Sequence, residues 1–271
     1  MLKDILPAAR FLTILPLPGG GKLLAERDIT RSAAAFTAVG LLQGVLLIVV
    51  ELVAGLLFHP DLALWLVVLA LVLISGGFHL DGLADCFDAL AVKGSGERER
   101  DLSRRLEVMK DPATGVMGVL AIFFVLVLKY FALQSLSHSS YAIYYSSLLL
   151  LPACGKWAMV TAMYRAQPAR PEGLGRLFIG AVGGRELAWN VAALLLPLLA
   201  VGWLLAGFLP AYSFLFYLLL PAGLYLFSRL AIAFGRQKFG GMSGDSLGAV
   251  NELAEILFLL LVLIWLRLSV W

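Results

Sequence analysis

The stretch 191–228 contains no Lys, Arg, Asp or Glu. About 20 apolar residues carry a helix across the roughly 30 Å hydrocarbon core of a bilayer. This run is therefore too long for one crossing and long enough for two. Gly207, Pro210 and Ala211 mark the expected hairpin between them, because Pro disfavours helical continuation and Gly loosens it. Pro197 and Pro221 are candidate kinks in the two halves. The rest of the chain follows suit: its 271 residues are 61% hydrophobic and 14% charged, with mean hydropathy +0.92. Soluble domains carry about 25% charged residues, and a soluble core could not absorb this apolar excess. The sequence predicts an all-α, polytopic integral membrane helical bundle, a single domain over 1–271. About seven spans are expected, at 33–54, 61–80, 114–136, 141–163, 187–208, 211–230 and 252–271. No cleavable signal peptide is expected, since Lys3, Asp4, Arg10, Pro16 and Pro18 break up the first apolar segment. Cys86 and Cys154 are isolated and offer no CxxC pair or disulfide framework.

Charge placement predicts orientation. Nearly all Lys and Arg lie in the N-terminal segment and in the connections 81–112, 164–186 and 229–251. The alternate connections, around 55–60, 137–140 and 208–211, hold none. By the positive-inside rule this alternation is what seven spans with a cytoplasmic N-terminus and cytoplasmic long polar loops require. Lys129 and Arg267 are the exceptions: Arg267 can snorkel to an interface, and Lys129 is expected to face protein or a polar cavity. Four polar segments meeting on one side can build one active site at the cytoplasmic face. The expected partners are the bilayer and small substrates, with no nucleic acid; a homo-oligomer is left open.

Three constellations carry chemistry. The first runs from Gly76 to Asp88 and holds Asp81, Asp85 and Asp88, spaced four and three apart. On a helix they share an arc of roughly 60°. Three like charges there repel, and a shared cation removes that repulsion. Mg²⁺ suits such a site, because it takes a few carboxylates plus water and substrate phosphates. A solvated acidic helix end is the alternative. The second is Arg104 to Gly115, where Glu107 and Asp111 are four apart and are expected on one helix face. Arg104, Arg105 and Lys110 beside them could hold phosphate oxygens, or the segment is an ordinary amphipathic helix. The third is Phe239 to Glu252, whose glycines allow close backbone approach. Its Asp245, Asn251 and Glu252 are candidate substrate contacts, although Asp245 could simply cap a helix starting near Leu247. His79, at the membrane edge, is either an interfacial packing residue or a substrate contact. Arg165, Arg176 and Arg185 could clamp phosphate, although orientation-determining charge explains them more simply, and no zinc spacing or Ser–His–Asp set is present.

On these residues the chain resembles the cobalamin synthase family, the adenosylcobinamide-GDP ribazoletransferases. The matching segments are Phe11 to Pro18, Gly76 to Asp88, Glu107 to Gly118, Gly173 to Gly184 and Gly240 to Glu252. Ala89 departs from the family, which often has Gly there. The resemblance implies that adenosylcobinamide-GDP and α-ribazole, or its 5′-phosphate, are joined with loss of GMP, using Mg²⁺ in a prokaryotic inner membrane. The product is adenosylcobalamin or its 5′-phosphate, a late step of cobalamin synthesis. Mapped onto this chain, Asp81, Asp85 and Asp88 would hold the metal, and Asp111, or else Glu107, would be the catalytic base. Lys110, Arg105, Asp245, Asn251, Glu252 and His79 would contact substrate. Asp85 and Asp88 followed by Glu107 and Asp111 also look like the acidic set of CDP-alcohol phosphotransferases, which is one rival reading. A secondary transporter is the non-enzyme rival, but it would place ionisable groups near the middle of several spans.

Overall fold

The structure, a computed structural model, describes residues 2–18, 25–205 and 212–269. Among these residues six helices are long and apolar enough to cross a bilayer, or seven when a bent pair counts as one. Helix α1 (Leu2–Leu12) precedes α2 (Glu26–Ser32), which continues through a 3₁₀ turn into α3 (Phe36–Leu57). Then come α4 (Pro60–Ile74), α5 (Phe78–Ala91), α6 (Arg98–Val108), α7 (Val116–Ser139) and α8 (Tyr141–Met163). Three long helices close the chain: α9 (Gly184–Leu205), α10 (Tyr212–Phe239) and α11 (Gly244–Ser269). The expected hairpin at Gly207, Pro210 and Ala211 lies outside the described residues.

Helix α8 is the axis of the bundle. Its most apolar window is 89% buried, against 22% in α10. Helices around it turn bulky apolar side chains outward, such as Leu56, Leu196 and Trp203, as lipid contact requires. Helix α3 packs on α8 at backbone distance. A Cβ on Gly44 would lie 2.2 Å from the Leu149 carbonyl oxygen, and one on Gly40 would lie 2.6 Å from Ala153 Cα. Association in lipid depends on such close approach of small residues.

The span expected at 61–80 is instead broken at Ser75–Gly77, where α5 turns 85° away from α4. Gly77 N–H donates to Val72 O and Gly76 N–H to Leu73 O, both at 3.0 Å. This is the Schellman pattern, and it stops α4. Gly76 and Gly77 have φ of 64° and 72°, in the left-handed region that other residues resist. The second correction concerns α6, which ends at Val108. Asp111, just before Pro112, lies in a turn, so it does not share a helix face with Glu107. Helix α11 starts at Gly244, earlier than the expected 252. Ser243 caps it: its Oγ accepts from Ser246 N–H at 3.1 Å, while Ser246 Oγ accepts from Ser243 N–H at 2.7 Å. Lys129 faces protein, as expected, with Nζ 2.6 Å from Glu252 and 2.5 Å from Glu255.

Asp88 ties α5 to α7. Its carboxylate accepts from Gly115 N–H at 2.7 Å and from Gly118 N–H at 2.8 Å, neutralising two donors that a helix start leaves open. Two stability effects are expected. Asp88→Ala removes this cap and should cost about 0.5–2 kcal/mol, with Asp88→Asn recovering part of it. Gly44→Leu forces α3 off α8 and should cost about 1–3 kcal/mol or more. Thermal unfolding of the detergent-solubilised variants measures both.

Candidate active site

Three connections and two helices converge at one end of the bundle. The segment 165–183 folds over the start of α11, held by a short parallel pairing. Ala169 N–H donates to Met242 O and Met242 N–H to Gln167 O, each at 2.8 Å. The glycines here let backbones touch. A Cβ on Gly175 would lie 2.6 Å from Gly244 N, and one on Gly82 would lie 2.6 Å from Asp245 O. Helix α5 is thereby pressed onto the first turn of α11. Because Ser243 does the capping, Asp245 is left to face outward.

The result is a pocket of about 530 Å³ with charges of both signs on its wall. Asp81 and Asp85, one helical turn apart on α5, join Asp245 of α11. The connections contribute Lys110, Arg170 and Arg176. Arg170 is paired with Asp245, and Lys110 approaches Glu172 at 3.9 Å. Asp85 is half-buried and within electrostatic reach of Asp81, Asp245 and Asp88, with Arg170 the opposing charge. Several carboxylates in one partly desolvated place favour a bound cation. Among the described residues no group of three or more His, Cys, Asp and Glu is placed to hold a metal ion. Any cation here would take no more than a pair of these carboxylates and would complete its shell with water and phosphate oxygens.

Of the site residues expected from sequence, Asp81, Asp85, Lys110, Asp111 and Asp245 line this pocket. Asp111 also accepts from Ala113 N–H at 2.9 Å, which steadies its turn. The others are placed elsewhere. Asp88 caps α7, and Glu107 is exposed on α6 outside the pocket lining. Arg105 donates to Lys238 O at 3.3 Å, holding α6 against the end of α10. His79, Asn251 and Glu252 are buried beneath the pocket, because their faces of α5 and α11 turn into the bundle. Sequence reasoning missed Arg170. Nothing in its own spacing marks it, and only the pairing of its loop with Met242 brings it to Asp245.

The family model described as cobalamin-5-phosphate synthase matches residues 4–263. A Thermodesulfovibrio yellowstonii protein named adenosylcobinamide-GDP ribazoletransferase is 34% identical over 266 residues, covering 97% of each chain. Proteins of the same name from Geotalea daltonii and Klebsiella pneumoniae are 37% and 38% identical. The first match covers 96% of each chain; the second covers 97% of this chain and 100% of its relative. No solved structure matches the chain. With the family model spanning nearly its whole length, the chain belongs to the cobalamin-5-phosphate synthase family.

Proposed function

We propose that this chain joins adenosylcobinamide-GDP to the ribose of α-ribazole, or of its 5′-phosphate, and releases GMP. The observation that carries the reading is the pocket of mixed charge, in which carboxylates of α5 and α11 meet Lys110, Arg170 and Arg176. A diphosphate ester needs both signs: cations for its oxygens, and carboxylates for a metal and for a proton. Asp81 and Asp85, with Asp245 beside them, are the residues that would hold Mg²⁺, which when bound would neutralise charge gathering on the diphosphate.

The chemistry assigned to the side chains is in-line transfer. A ribose hydroxyl oxygen forms a bond to the phosphorus that stays with cobinamide. The bond from that phosphorus to the GMP oxygen breaks, and GMP leaves with the bonding pair. Asp111 takes the hydroxyl proton; it is preferred over Glu107 because it alone of the two lines the pocket. Lys110 and Arg176 contact phosphate oxygens, and a guanidinium such as that of Arg170 suits two oxygens at once. The phosphoryl group is then positioned and electrostatically stabilised, which is most of what such a transfer requires. The basic loops at the pocket end support a cytoplasmic orientation and an inner-membrane location by the positive-inside rule.

Purified protein supplied with adenosylcobinamide-GDP, α-ribazole and Mg²⁺ should form cobalamin and GMP in equal amounts. Absence of GMP, or equal turnover of a CDP-linked alcohol, would overturn the assignment. Asp85→Asn should lower GMP release by about 10²–10³-fold, the usual scale for one electrostatic group, while the protein stays folded in the membrane. Arg170→Ala should also impair release, and Arg170→Lys should recover only part, since Lys lacks the planar fork.

A further inference from the structure

Beneath the pocket, at the elbow between α4 and α5, polar side chains are buried in an otherwise apolar bundle. Lys129 of α7 pairs with both Glu252 and Glu255 of α11. Asn251 bridges this triad to Lys156 of α8. Its amide nitrogen donates to Glu252 at 3.2 Å and Glu255 at 3.0 Å, and its oxygen accepts from Lys156 Nζ at 2.9 Å. Two ammonium groups and two carboxylates cancel in formal charge. Ionisable groups at such depth are costly, and their default reading is a functional one.

Two polar atoms beside this cluster have no protein partner. They are His79 Nε2 of α5 and Gln43 Oε1 of α3, on residues only 1% and 2% exposed. Both residues line, with Lys156, a cavity of about 10 Å³. That is the space one water requires, and a buried water commonly makes about three hydrogen bonds. Lys156 is a donor with N–H groups to spare beyond the one given to Asn251. Gln43 Oε1 is an acceptor, and His79 Nε2 can be either. Lys129, Glu252 and Glu255 line the cavity too, so an anion would face two carboxylates already paired and a cation would face two ammonium groups. A neutral donor–acceptor fits, and water is the one small enough.

We propose that this cavity holds one ordered water joining Lys156, His79 and Gln43, and that His79 is thereby a positioning residue for Asp81 and Asp85. His79 lies in the first turn of α5, two residues before Asp81. The Cβ of a residue at Gly248 would come within 3.0 Å of the His79 carbonyl oxygen, so α5 meets α11 by backbone contact at this level. A water bonded from α3 and α8 to His79 sets the pitch of α5 about that contact. The pitch decides how far Asp81 and Asp85 stand from Asp245. The positioning half of the proposal rests on the reading of Asp81 and Asp85 as cation ligands.

The test uses the full chain in phosphatidylcholine nanodiscs, with Mn²⁺ as the probe read by paramagnetic resonance. His79→Leu fills the space without a polar atom, whereas His79→Gln keeps one within reach of the water. His79→Leu should weaken Mn²⁺ binding by roughly tenfold, the lower end of the effect of losing a group bonded directly to a metal ligand, and lower kcat more than it raises KM. His79→Gln should restore most of the binding. Gln43→Leu, on a different helix, should reproduce the loss if His79→Leu fails to accumulate. Undiminished Mn²⁺ affinity in the Leu variants would overturn the positioning role. A solved structure should show a water within hydrogen-bond distance of Lys156 Nζ, His79 Nε2 and Gln43 Oε1, and a dry cavity would overturn the site. If the unaltered protein binds no Mn²⁺, the cation reading and the positioning role fall together, while the water remains decided by that density.

Discussion

Backbone contact between α5 and α11 is the constraint on which the pocket depends. Gly82 and Gly248 remove the side chains that would hold the two helices apart. Asp81 and Asp85 come from a helix that follows an 85° break, and Asp245 comes from the first turn of another, far away in sequence. Only at glycine distance do their carboxylates share one wall. The contact needs support from below, because carboxylates brought together repel and push the helices apart. It comes through α7: Asp88 of α5 caps the start of that helix, and Lys129 further along it joins Glu252 and Glu255 of α11 with buried charge-assisted bonds.

The folding of the 165–183 segment completes the site from the opposite direction. Its pairing with Met242 places Arg170 against Asp245, so one acidic group is already matched by a cation of this chain. Among the described residues neither Asp81 nor Asp85 forms an ion pair. This asymmetry divides the pocket into a balanced part and a part with surplus negative charge. A substrate whose phosphate oxygens bring further negative charge would need a cation at the second part and the guanidinium at the first.

Much of this was legible in the sequence, and what was not has definite causes. The membrane bundle followed from apolar run lengths, because a bilayer imposes one scale on every crossing. Asp81 and Asp85 were legible because helical spacing sets azimuth. Asp88 shared their arc but lies seven residues along the axis from Asp81, about 10 Å away, where it meets the open start of α7 instead. Spacing gives the direction of a side chain and is silent on what faces it. The same limit misplaced Asn251 and Glu252, which follow a glycine-rich segment that does reach the pocket. Their face of α11 turns inward to two lysines on other helices. Arg170 was invisible for the converse reason, since its place comes from loop-to-loop pairing across the fold.

Helix α5 also shows why chemistry and bilayer need not interfere. Phe78, Asp81 and Asp85 line the charged pocket, while Cys86, Phe87 and Leu90 line an apolar groove of about 450 Å³ against α10 and α11. At about 100° per residue these two sets fall on opposite sides of the helix. A polar substrate and an apolar chain would thus be separated by the thickness of one helix. Beneath the polar side lies a charge-balanced cluster buried among apolar helices, which leaves no bulk solvent on that side to screen the pocket. Interactions of phosphate oxygens with Lys110, Arg170 or Arg176, as proposed, would be stronger against such a floor than in open solvent. A membrane bundle supplies this low-dielectric support without needing a lid over the site.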